Sequence, residues 1–116
     1  MGYRSTRDLL LANYGSALET RIQESDVSIG TSAAQLVAGN GARNWVSFQN
    51  AGAATIYIST LQSLAVGQGF IIAAGGFITL TWRDDGDLPT LAFYAISSGA
   101  GNNVHVIETI LTGAGD

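Results

Sequence analysis

The chain holds one histidine, His105, and neither cysteine nor lysine, so few of its side chains are equipped for covalent or proton-transfer chemistry. His105 falls in the run Val104 to Leu111, where apolar alternation predicts a strand. As a general base it would need a serine within hydrogen-bond reach and a carboxylate to orient it. Asp84, Asp85 and Glu108 supply carboxylates, but no G-x-S-x-G elbow presents a nucleophile. The plainer reading is a strand histidine facing solvent or an interface. Without lysine there is no Schiff base and no phosphate-loop lysine. Without cysteine there is no disulfide framework and no thiolate metal site.

Asp84-Asp85-Gly86-Asp87 gathers carboxylates in one turn, and oxygen-rich turns bind Ca²⁺. The later bidentate Glu of an EF-hand loop is missing, and Asp with Gly is also what an ordinary turn requires. These acids lie too close in sequence to flank a sugar from opposite sides, as a glycosidase pair does. Gly39-Asn40-Gly41 and Gly99-Ala100-Gly101 open no helix and read as turns with positive φ, not as phosphate loops. Trp45, Tyr57, Phe77, Trp82, Phe93 and Tyr94 could stack on sugar rings, but at alternating strand positions such residues belong first to core packing. No catalytic, metal or cofactor-binding residue is predicted, and no enzyme activity.

The elements that would position these residues are β-strands. The 116 residues are 47% hydrophobic with 15 glycines, which suits strands joined by tight turns within one domain. Only 12% are charged, about half the usual share, so part of the apolar surface is expected to be covered by other subunits. A net charge of −4 without basic clusters argues against nucleic acid and against an anionic membrane surface. The opening MGYRSTRDLLLANYGS lacks the long apolar core of a signal peptide, and no run approaches a membrane span.

Residues 1–24 read as an N-terminal helical arm. Ser5 or Thr6 caps it, and Leu11, Tyr14, Leu18 and Ile22 recur at three- and four-residue spacing on one face. A helix of this length is marginal alone, so that stripe is the predicted partner-binding surface. Residues 25–111 read as an antiparallel β-sandwich or small barrel of seven to eight strands, and 112–116 as a Gly-rich tail. Trp45–Gln49 and Thr55–Ser59 are predicted to form a hairpin around Asn50-Ala51-Gly52-Ala53. Val46, Phe48, Ile56, Ile58, Ile78 and Leu80 are predicted to face the core.

Arg43-Asn44-Trp45-Val46-Ser47-Phe48-Gln49-Asn50-Ala51-Gly52, then Gly69-Phe70-Ile71-Ile72-Ala73-Ala74-Gly75-Gly76, then Val104-His105-Val106-Ile107-Glu108 resemble segments of small virion proteins of tailed bacteriophages. The resemblance covers roughly residues 26–111 and supplies no site residue. It implies a virion location and a capsid decoration or cement protein, whose partners are the major capsid protein or other virion subunits. Sister copies are also expected as partners, a trimer being one arrangement. The alternative it leaves is a tail or fibre module that binds host-surface carbohydrate, and a small hydrolase built on His105 is more remote.

Overall fold

The computed structural model describes residues 18–113. Eight strands form two four-stranded antiparallel sheets. They are β1 (Leu18–Ile29), β2 (Ala34–Val37), β3 (Arg43–Asn50), β4 (Ile56–Ser59), β5 (Phe70–Ile72), β6 (Phe77–Thr81), β7 (Phe93–Ser97) and β8 (Asn102–Gly113). A single helical turn, α1 (Trp82–Asp85), and a 3-10 turn at Leu88–Thr90 separate β6 from β7.

One sheet runs β1-β8-β3-β6 and the other β2-β7-β4-β5. The pairs β1·β8, β2·β7, β3·β6 and β4·β5 are nested, so residues 18–113 form one long folded ribbon in which β1 lies beside β8. The short connections 30–33, 51–55, 73–76 and 98–101 each carry the chain from one sheet to the other. They stack β1 on β2, β3 on β4, β5 on β6 and β8 on β7. This winding is a jelly roll.

Alternation along the strands fills the space between the sheets. Ile29, Val46, Phe48, Leu80, Val104 and Val106 point inward from the first sheet, and Leu36, Ile56, Ile58, Ile72, Phe93 and Ala95 from the second. Ile78 is partly buried against them. The Phe48 and Phe93 rings meet across the gap, tilted, with centroids 5.2 Å apart. The predicted core positions therefore face inward.

Three expectations are corrected. The helical arm fails over residues 18–24, which belong to β1 and pair with β8 from Leu18↔Gly113 onward. A spacing of four residues in the sequence fits the strand period as well as the helical one, while Thr20, Ile22, Val27 and Ile29 are β-branched residues that favour a strand. Leu11 and Tyr14 lie outside the described residues. The hairpin also fails, because β3 and β4 lie in different sheets and the segment between them is an arch. Among the predicted positive-φ glycines only Gly101 adopts that conformation; the others with it are Gly67, Gly69, Gly75 and Gly86. Gly69 needs to be glycine twice over, since a β-carbon there would also strike the Ile58 carbonyl.

Ile58 is fully buried at the centre of its sheet, between β5 and β7. Ile58→Ala should destabilise the fold by about 2–5 kcal/mol, measured by denaturant unfolding. A loss below about 0.5 kcal/mol, the range of surface changes, would place this strand outside the core.

Candidate functional site

Chemistry or binding could reside at the histidine, the acidic turn, the concave surface or the exposed apolar surface. His105 lies on the outer face of the first sheet, at Asp26 in the β1–β8 register. Its Nδ1 is 2.8 Å from Asp26 Oδ1 and its Nε2 3.0 Å from Glu24 Oε1. Both ring nitrogens thus face carboxylates of the edge strand β1. The hydrogen bond to Asp26, then that to Glu24, raise its pKa above the ordinary histidine value of about 6.5. Chemically this is a proton-dependent clamp between β1 and β8. Sequence alternation placed His105 outward, but its partners lay in a segment read as helix, so the pairing was not legible.

Asp84 and Asp85 are used locally. Thr81 caps α1, its Oγ1 accepting from the Asp84 N–H at 3.2 Å, while Asp85 Oδ2 accepts from the Thr81 N–H at 2.9 Å. That is capping-box chemistry. Among the described residues no group of three His, Cys, Asp or Glu side chains is placed to hold a metal ion.

Buried polar groups lock the two ends of the sandwich. Near the start of β3, Arg43 is almost wholly buried and bonds Glu108 Oε1 at 2.6 Å. Its other nitrogens donate to the carbonyls of Ala38 at 2.7 Å and of Pro89 and Leu91, each at 3.1 Å. A buried guanidinium is tolerated only with such partners. At the opposite end Asn102 Nδ2 donates to Asn50 Oδ1 at 2.9 Å, and Asn50 Nδ2 donates to Ala54 O at 2.7 Å and Ile72 O at 3.0 Å. These groups are structural.

A mainly apolar cleft of about 250 Å³ lies on the outer face of the first sheet, at the Arg43 end. Thr20, Asn44, Trp45, Thr81, Trp82 and Thr109 line it, with Arg83 and Asp84 at its edge. It contains both tryptophans of the chain. Its size suits one or two side chains more than a drug-sized ligand.

Among the described residues, five of the seven exposed large apolar side chains lie near the β5 and β6 edges, Ile22 and Leu91 being elsewhere. Leu61 (62% exposed), Val66 (52%), Phe70 (40%), Ile71 (65%) and Phe77 (69%) lie on β5, β6 and the β4–β5 connection. β5 and β6 are the edges of their sheets, stacked on the same side. From Arg43 to Arg83 the chain between carries no Asp, Glu, Lys, Arg or His. That gap is a sequence signal for this surface, and reading aromatics one by one misses it. Of the predicted partner-binding stripe, Ile22 is 67% exposed on β1, at the opposite edge of the first sheet.

No protein-family model and no curated protein matches the chain. Among solved structures, a similar chain comes from Bacillus endospore appendages, described as a family of disulfide-linked pili. It is 17% identical, with a TM-score of 0.50 over 83% of this chain and 88% of that one. At such identity the likeness extends to the fold. It overturns the expectation of a phage capsid decoration or cement protein, and the tail or fibre alternative with it, because the similar chain belongs to a bacterial appendage. The link is weak in one respect: this chain has no cysteine for disulfide linkage.

The raised pKa of His105 fixes a sign. The clamp's contribution is fully present below about pH 6.5, the unfolded value, and is lost as pH rises through the higher folded value. Glu24 and Asp26 are 58% and 66% exposed, so solvent screens the effect and it should be modest. Amide protection in β1 should fall as pH is raised through that range, after correction for intrinsic exchange. His105→Gln should remove this pH dependence; a dependence that survives the substitution would refute the clamp.

Proposed function

We propose that this chain is a non-catalytic structural subunit that associates with copies of itself through the uncharged side formed by β5, β6 and the β4–β5 connection. The observation that carries this reading is the coincidence on one side of two open sheet edges, five exposed apolar side chains and no ionisable group except Tyr57 on β4. Exposed edge strands invite pairing with other chains, and soluble monomers blunt them with lysines, prolines or inward charges. None of those devices is present on β5 or β6. The surface is also unsuited to phosphates or charged headgroups, which basic side chains must bind.

A second copy offers the matching chemistry, an apolar surface with unpaired backbone groups. The similar solved chain comes from appendages described as disulfide-linked pili, which supports a structural, assembling role. Association here would be non-covalent, since no cysteine exists to link the copies.

Ile71→Lys combined with Phe77→Lys places a charge on each open edge. Both side chains are mostly exposed, so the fold should lose no more than about 0.5 kcal/mol apiece. Sedimentation and light scattering should find the unaltered chain in multimers and the double variant as monomers. An unaltered chain that stays monomeric at every accessible concentration would refute self-association, and equal assembly of the two proteins would refute this side as its surface.

A further inference from the structure

We infer that the partner on the uncharged side is a second copy related by a two-fold axis, whose β6 pairs antiparallel with β6 so that Phe77 lies opposite the partner's Thr79. The inference rests on the self-association reading and adds its strand, its register and its symmetry.

The open backbone groups of β6 set the register. Asn50 N–H donates to Gly76 O, and Gly75 N–H donates to Asn50 O, each at 2.9 Å. The hydrogen-bonded pairs between β3 and β6 then continue at Phe48↔Ile78 and Val46↔Leu80. Phe77, Thr79 and Thr81 alternate with these, so their N–H and C=O groups point to the free edge. Thr81 N–H is already taken by Asp85 Oδ2. Among the described residues, the N–H and C=O groups of Phe77 and Thr79 have no other partner. A two-fold axis at Ile78 sets each Phe77 opposite the partner's Thr79 and joins all of these groups in hydrogen bonds. An axis at Thr79 would set Phe77 opposite the partner's Thr81, whose N–H has no bond to give.

The side chains agree with that axis. Phe70 pairs with the fully buried Ile58 and so points between the sheets, yet it is 40% exposed. Ile78, also inward, is only partly buried. The core is thus uncovered along this side. At the axis the two Ile78 side chains face each other and close it, while the exposed Phe77 ring gains the partner's Thr79 as its neighbour.

Charge selects the symmetry. The other free edge of the same sheet, β1, exposes Arg21, Glu24 and Asp26. Setting that edge against Phe77 would strip water from charges without giving them partners. β5 offers three residues for pairing against five in β6. The match for β6 is therefore β6 itself. Contact of a surface with its own copy is isologous and closes at two chains.

The absence of cysteine permits a thiol at one chosen position. Across the axis, position 78 of the two copies forms a non-hydrogen-bonded pair with α-carbons about 4.5 Å apart, within disulfide reach. Position 79 of the two copies stands diagonally, at about 7–8 Å, and falls outside it. On mild oxidation Ile78→Cys should give several-fold more covalent dimer than Thr79→Cys, although chance collision favours position 79, on the outer face. Light scattering of the unaltered chain should rise to the mass of two copies with increasing concentration and stop there. Growth past two copies, or cross-linking no better at 78 than at 79, would overturn the inference and leave self-association standing. A chain monomeric at every accessible concentration would overturn self-association and this inference together.

Discussion

Two buried carboxamides, Asn50 and Asn102, set the course of the chain at the arch end of the sandwich. At each arch the backbone leaves one sheet's hydrogen-bonding pattern before joining the other's, and its polar groups need partners in between. Asn50 Oδ1 accepts from the Gly52 N–H, and Asn102 Oδ1 from the Ala54 N–H, at 3.1 Å each. With the Asn50 donations to Ala54 and Ile72, the pair satisfies one arch and ties it to the end of β5. Gly52 must lack a side chain because the Asn102 carboxamide occupies the space where one would stand.

At the other end Arg43 does the same with charge. Its guanidinium collects carbonyls from the β2–β3 connection and from the 3-10 turn and its exit, while Glu108 neutralises it. The core between the two locks is apolar. Hydrophobic burial supplies the bulk of the stability, and the polar groups choose which connections form.

What was legible in the sequence follows from this. Period-two alternation marks Val46 and Phe48, Ile56 and Ile58, Val104 and Val106 as inward, and burial enforces that register. Connectivity was not legible, because Asn50-Ala51-Gly52-Ala53 has the composition of a hairpin turn. It is an arch because β3 pairs with β6 and β8 while β4 pairs with β5 and β7, partners far along the chain, and Asn102 ties it down from there. β1 was misread for a different reason. Spacings of four fit both periods, and the deciding interaction is a ladder to β8 at the other terminus. The clamp of His105 on Glu24 and Asp26 belongs to that ladder and was invisible for the same cause.

The sandwich is thereby asymmetric from side to side. Its β1 edge is charged, with Arg21, Glu24 and Asp26 exposed and a histidine that responds to protons. The β5 and β6 edges carry no ionisable side chain. Charged edges repel unwanted strands, so the placement protects one side of the ribbon and leaves the other available. Nested pairing places the two sides differently in the sequence: β1 lies near one end of the chain, whereas β5 and β6 sit at the innermost turn of the ribbon. Charge absent from the middle of the sequence therefore becomes charge absent from the stacked β5 and β6 edges. The topology converts a one-dimensional gap in composition into a two-dimensional surface, and this is how a chain so poor in reactive side chains acquires a distinct face.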